Sequence, residues 1–155
     1  MLVAVNKWDL VEQRELAAKR WEDRVRTRLK FLKETPMLLV SAKSGQRVER
    51  ILDEVDRLHA AASITIATSQ LNRFLREDAG TTASGTGPGA LRVYYMTQTG
   101  THPPSFTLFC NDPRRLHFSY RRRLENELRR RFGFGAAPLR LEFRRRTRGG
   151  PGGSR

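Results

Sequence analysis

Residues 2–5 (Leu-Val-Ala-Val) and 37–40 (Met-Leu-Leu-Val) are apolar runs with no polar alternation. A strand without alternation is buried on both faces, which is the environment of a parallel sheet covered by helices. Between the runs, Leu16, Trp21, Val25, Leu29 and Leu32 recur three to five residues apart. This spacing predicts one helix over 13–33, stopped by Pro36. After the second run, Val48, Ile51, Leu52, Val55 and Leu58 keep i, i+3, i+4, i+7 spacing and predict a helix with one buried stripe. The order β-α-β-α is parallel α/β. Two strands and two helices cannot close such a sheet, so further strands are expected upstream of Met1.

The pattern changes past residue 66. A short helix is expected over 70–76, with Leu71, Phe74 and Leu75 on one side. Residues 79–90 are rich in Gly, Ser and Thr and read as a flexible loop. Aromatic-rich strands follow at 91–97 and 106–110, joined by a turn with Gly100 and Pro103-Pro104. Tyr94, Tyr95, Phe106 and Phe109 read as sheet core rather than as platforms for stacked bases. Residues 119–132 predict a helix with Tyr120, Leu124, Leu128 and Phe132 on one face. Residues 139–143, Leu-Arg-Leu-Glu-Phe, alternate as a strand with one wet face. Residues 67–147 are therefore an α-β-β-α-β module of α+β class, and 148–155 a disordered Gly/Arg tail.

Charge divides at the same place. The formal net charge is +14. Residues 1–66 hold 13 Lys and Arg against 10 Asp and Glu, whereas 67–155 hold 17 against 6, and all 17 are arginine. A G·C-rich genome would favour arginine codons, which is the plain explanation. An excess confined to one module also suits a polyanion, nucleic acid before an acidic membrane, because arginine's planar fork grips phosphate bidentately. Arg121, Arg122, Arg123, Arg129, Arg130 and Arg131, on the predicted helix, are the candidate RNA contacts. No apolar run approaches the roughly 18 residues of a membrane span, and no secretory leader opens the chain. One cysteine, Cys110, forms no internal disulfide and reads as a small core residue, so a cytoplasmic setting is expected. His59, His102 and His117 are scattered, and no metal site is expected. No Gly-x-Ser-x-Gly elbow marks a nucleophilic hydrolase.

Each early strand runs into a polar motif, Asn6-Lys7-Trp8-Asp9 after the first and Ser41-Ala42-Lys43 after the second. Open parallel sheets bind ligands at these strand ends. Asp9 can accept from guanine N1–H and its exocyclic amine together, a charge-assisted pair that adenine cannot offer. The Ala42 N–H can donate to O6, the stems of Lys7 and Lys43 can cover the ring faces, and Asn6 can tie the loops. N-K-x-D alone recurs by chance and also makes a helix-capping turn. Ser41-Ala42-Lys43 on the adjacent strand favours the base.

These motifs resemble those of translation-factor-type GTPases, and the chain to about Arg146 resembles the C-terminal part of the tandem GTPase family Der, also called EngA. The likeness includes Asn6-Lys7-Trp8-Asp9-Leu10-Val11, Ser41-Ala42-Lys43, Tyr94-Tyr95-Met96-Thr97-Gln98, Pro103-Pro104-Ser105-Phe106 and Asn111-Asp112-Pro113. It continues through His117-Phe118-Ser119-Tyr120-Arg121-Arg122, Leu124-Glu125-Asn126, Phe132-Gly133-Phe134 and Pro138-Leu139-Arg140-Leu141. The resemblance implies that 1–66 are the end of a P-loop GTPase domain and 67–147 a KH-like domain. It further implies GTP or GDP as ligand, and the large ribosomal subunit with its RNA as partner, alongside upstream GTPase domains. The sequence has no G-x-x-x-x-G-K-[ST] loop and no D-x-x-G switch. Mg²⁺ is thus expected only with upstream residues, no catalytic residue is assigned, and this chain alone is not expected to hydrolyse GTP. The G-x-x-G grip of KH modules occurs only at Gly149 to Gly153. An Era-type GTPase would carry that grip between helices. The alternative is a stand-alone RNA-binding KH-like module with a vestigial guanine half-site.

Overall fold

Val3–Val5 (β1) and Met37–Leu39 (β2) pair in parallel, with Val3 opposite Met37 and Val5 opposite Leu39. The computed structural model describes residues 1–29, 35–79, 82–83 and 90–146. Its contacts divide the chain into two units, Met1–Ala62 with Phe134–Pro138, and Ser63–Gly133 with the chain from Leu139.

In the first unit a 3₁₀ turn, Trp8–Leu10, leaves β1. Helix α1, Arg14–Arg28, and helix α2, Glu49–Ala62, follow β1 and β2 respectively. The predicted order β-α-β-α is present, and the strands are parallel. The first helix is shorter than expected: Leu29 caps it, its N–H donating to the Val25 carbonyl at 2.8 Å. Residues 30–34, with Leu32 of the expected stripe, lie outside the described residues. The stripes are not buried as the spacing predicts. Leu16 is 62% exposed and Leu52 69%, and Trp21, Val48 and Val55 are also exposed. Two strands of three residues offer too little apolar surface to cover two helical faces.

The second unit opens with α3, Thr68–Phe74, which widens into a single π-helical turn, Leu75–Ala79. Four strands form a mixed sheet in the order β3-β4-β5-β6: Thr82–Ala83, Leu91–Gly100, Ser105–Cys110 and Arg140–Arg145. β3, β4 and β5 are antiparallel neighbours, and β6 lies parallel to β5 after the crossover through α4, Phe118–Phe132. β3 corrects the reading of 79–90 as loop throughout. Residues 80–81 and 84–89 lie outside the described residues, as do the tail 148–155 and its glycines. α4 starts where His117 Nδ1 accepts from the Ser119 N–H at 3.3 Å. It ends at Gly133, whose φ of +74° is the left-handed cap that glycine takes without strain.

The core lies between the helices and one face of this sheet. Leu71, Phe74, Leu124 and Leu128 meet Leu91, Val93, Met96, Phe106, Leu108 and Cys110, all 2% exposed or less. The periodic residues predicted for α4 are those buried, except Phe132, which is half-buried and edge-on to Phe74. β4 departs from alternation: Val93 pairs with Cys110 but Tyr95 with Phe109, leaving Tyr94 as the extra residue of a bulge. The phase slips by one, so Tyr94 and Tyr95 both reach solvent, 46% and 38% exposed. Only Phe106 of the four predicted core aromatics is fully buried; Phe109 is half-buried beneath Tyr95.

Candidate functional site

The two motif loops emerge side by side at the C-terminal ends of β1 and β2. Val40 N–H donates to the Val5 carbonyl at 2.9 Å, and Trp8 N–H to the Val40 carbonyl at 3.0 Å, so the pairing continues into both loops. Trp8 is buried at 2% exposure and anchors its loop. Lys7 adopts φ 63° and ψ 31°, left-handed values uncommon outside glycine. Such a conformation persists where neighbours enforce it. Here Asn6 does so: its Oδ1 accepts from the Lys7 N–H at 2.7 Å and, across the strands, from the Ala42 N–H at 3.0 Å.

A second tie runs beside the first. The Ser41 hydroxyl donates to Asp9 Oδ1 at 2.5 Å and accepts from the Ser44 N–H at 3.2 Å. Ser41 is fully buried, and its N–H donates to the Gln46 carbonyl at 3.1 Å. The Asp9 carboxyl is held below its ordinary range, chiefly by the Ser41 hydroxyl, with Lys43 and Arg14 adding attraction. Asp9 is half-buried, whereas Asn6, Lys7, Ala42 and Lys43 are exposed. The structure therefore gathers the six predicted residues at one end of one sheet. It also corrects a role: the Ala42 N–H, assigned above to a base oxygen, is engaged by Asn6. A carboxylate oxygen carries more than one acceptor position, so the Ser41 bond leaves Asp9 able to take two further donors.

The six arginines of α4 differ in their surroundings. Arg129 pairs with Glu125 at 2.8 Å and its side chain is only 15% exposed. Arg130 pairs with Glu127. Arg122 lies 5.7 Å over the Phe118 ring and Arg123 5.4 Å over the Tyr120 ring. Arg121 and Arg131 are exposed. Glu125, one turn before Arg129, thus competes with a phosphate for that guanidinium. That i, i+4 pair was readable in the sequence.

Three side-chain amides that the sequence reading passed over stitch the second unit. Asn72 on α3 reaches β4, its Nδ2 donating to the Met96 carbonyl at 3.1 Å and its Oδ1 accepting the Met96 N–H at 2.9 Å. Gln98 Nε2 donates to the Ile64 carbonyl and its Oε1 accepts from the Ile66 N–H, both at 2.8 Å. Asn111 Oδ1 accepts from the Arg92 N–H and its Nδ2 donates to the Ala90 carbonyl, both at 2.9 Å. Among the described residues, no group of three or more His, Cys, Asp or Glu is placed to hold a metal ion. None of the described helices is long and apolar enough to cross a membrane.

Residues 65–144 match the family described as KH-domain-like of EngA bacterial GTPase enzymes, C-terminal. The chain is similar to proteins named GTPase Der from Desulfitobacterium hafniense, at 43% identity over 147 residues, and from Syntrophotalea carbinolica, at 44% over 148. The protein of the same name from Clostridium novyi is 43% identical over 147 residues. These matches cover 94%, 95% and 94% of this chain but only 33%, 34% and 34% of the relatives. The chain thus spans about a third of the length of the curated relatives it matches.

Proposed function

We infer the role of this chain from its family: it belongs to the KH-domain-like C-terminal regions of EngA bacterial GTPase enzymes. On that premise it acts as the C-terminal third of a GTP-binding factor of the Der type, in assembly of the large ribosomal subunit in the cytoplasm. The observation that carries this reading is the double tie between the motif loops, Asn6 to Ala42 and Ser41 to Asp9. It holds a carboxylate, its midpoint lowered by its serine partner, at the strand end where a base would lie.

In this reading Asp9 accepts from guanine N1–H and the exocyclic amine, Ser41 fixes the carboxylate's orientation, and Asn6 locks the loop geometry. Lys7 and Lys43 flank the ring with their aliphatic stems. The phosphates and Mg²⁺ fall to residues of an upstream GTPase domain, and no residue of this chain takes part in hydrolysis. The second unit supplies the contact with ribosomal RNA, drawing on its arginine excess. Gradient sedimentation with isolated ribosomal subunits tests the assignment. The chain is expected to comigrate with the large subunit at near-physiological salt. Comigration with neither subunit, or equally with both, overturns it.

A further inference from the structure

α3 and α4 pack on one face of the second unit's sheet, and the opposite face carries an organised set of rings and cations. Register places Tyr95 beside Phe109 and Phe109 beside Arg144, one residue from each of β4, β5 and β6. The Tyr95 and Phe109 rings stack, with centroids 4.4 Å apart and planes 14° apart. At the bulge, Tyr94 has the Arg146 guanidinium 5.3 Å over its ring centroid. Both tyrosines are exposed, at 46% and 38%. Arg92, Arg144 and Arg146 are exposed around them. Glu142 is the acid at this end of the face, and it pairs with Arg144 at 2.9 and 3.0 Å.

Exposed rings forgo the stabilisation of burial, and β4 spends a bulge to put two of them on the surface. Large patches of this kind mark interaction sites. The charge around the rings selects the partner. Planar rings interleaved with arginines fit unpaired nucleic acid, whose bases stack on any aromatic face while its phosphates take the guanidinium groups. An exposed Arg–Glu pair is weak enough for a phosphate to displace the carboxylate from Arg144. We propose that this face is a stacking platform for unpaired RNA bases. One base lies on the Tyr95–Phe109 stack, and a neighbouring base lies at Tyr94. Arg92, Arg144 and Arg146 take the backbone phosphates.

The proposal rests on the RNA-contacting role assigned to the second unit, and one experiment separates the two. Binding of labelled oligo(A) to the full chain is measured by fluorescence anisotropy, beside an abasic ribose-phosphate polymer of equal length. Tyr95→Leu is expected to weaken oligo(A) binding roughly tenfold, since base–aromatic stacking carries that order of affinity. Binding of the abasic polymer is unchanged. Tyr95→Phe retains the ring and the binding, and Tyr94→Leu, at an exposed position, gives an independent loss on oligo(A). Arg144→Gln weakens both polymers and lowers the salt slope by about one phosphate. If the wild-type chain binds neither polymer, the RNA reading falls and takes the platform with it. If Tyr95→Leu and Tyr94→Leu bind oligo(A) as the wild type does while Arg122→Gln weakens it, RNA is bound elsewhere and the platform alone is refuted. A face that instead docks protein gives that second result.

Discussion

Replacing Asn72 by alanine tests how the second unit closes the edge of its sheet. β3 pairs with Leu91 and Arg92, and beyond that point no strand among the described residues lies beside the outer edge of β4. At Met96, which is fully buried, the Asn72 amide takes the strand's place, accepting the N–H at 2.9 Å and donating to the carbonyl at 3.1 Å. Alanine removes both partners and is too short to shield the backbone. A buried backbone group left unpaired costs about 1–3 kcal/mol, so two cost about 2–4 kcal/mol after partial rescue by water. Both tryptophans, Trp8 and Trp21, lie in the first unit, so their fluorescence does not report this change. Amide hydrogen exchange at Met96 does. At 1.4 kcal/mol per factor of ten, Asn72→Ala is expected to speed it by roughly 30- to 1,000-fold. A Met96 amide that stays protected to within a factor of about two refutes the edge-closing role.

Two further outcomes concern titration. The Ser41 hydroxyl is the main cause of the low Asp9 midpoint, so Ser41→Ala is expected to raise it toward 3.8, read by carbon NMR of the carboxyl group. An unmoved midpoint would contradict that cause. The sign is that of a depressed acid: Asp9 contributes stability above its ordinary 3.8, lost as pH falls through the lower folded value. Burial pushes the Tyr120 hydroxyl from 10.0 up to about 12. A raised acid stabilises below its ordinary value and loses that contribution as pH rises, here between 10.0 and about 12. Tyrosinate absorbance is expected to show a late step near 12 that Tyr120→Phe abolishes. A late step persisting in the variant assigns it to another residue.

The parallel pair β1 and β2 was legible because unbroken apolar runs have few other uses, and the motif loops follow from where those strands end. α4 was legible because Tyr120, Leu124 and Leu128 keep one face over several turns. Tyr94 and Tyr95 were not. A bulge inserts one residue without a mark in composition, and the positions of β4 from Tyr95 to Gln98 change face. Leu16 and Leu52 carry the spacing of buried stripes, but spacing states which side is apolar and not whether anything covers it. β3 was hidden because two residues of strand are too few to show a period. In the site, pairing of Ser41 with Asp9 needed the register of β1 on β2, which fixes which loop residues face each other. The Asn6 bond to Ala42 spans 36 positions, and no local pattern announces it.

The central claim is that Asp9 reads a guanine base, and base specificity tests it most directly. The measurement is competition binding of GTP and XTP to this chain extended upstream through a complete GTPase domain, with and without Asp9→Asn. Asparagine replaces one acceptor oxygen with a donor, which opposes the guanine amine and suits the xanthine carbonyl. A lost charged pair with an unpaired donor costs on the order of 2–4 kcal/mol, or roughly 30- to 1,000-fold in affinity. GTP binding is expected to weaken by that factor while XTP binding strengthens. A substituted protein that still prefers GTP would contradict the account.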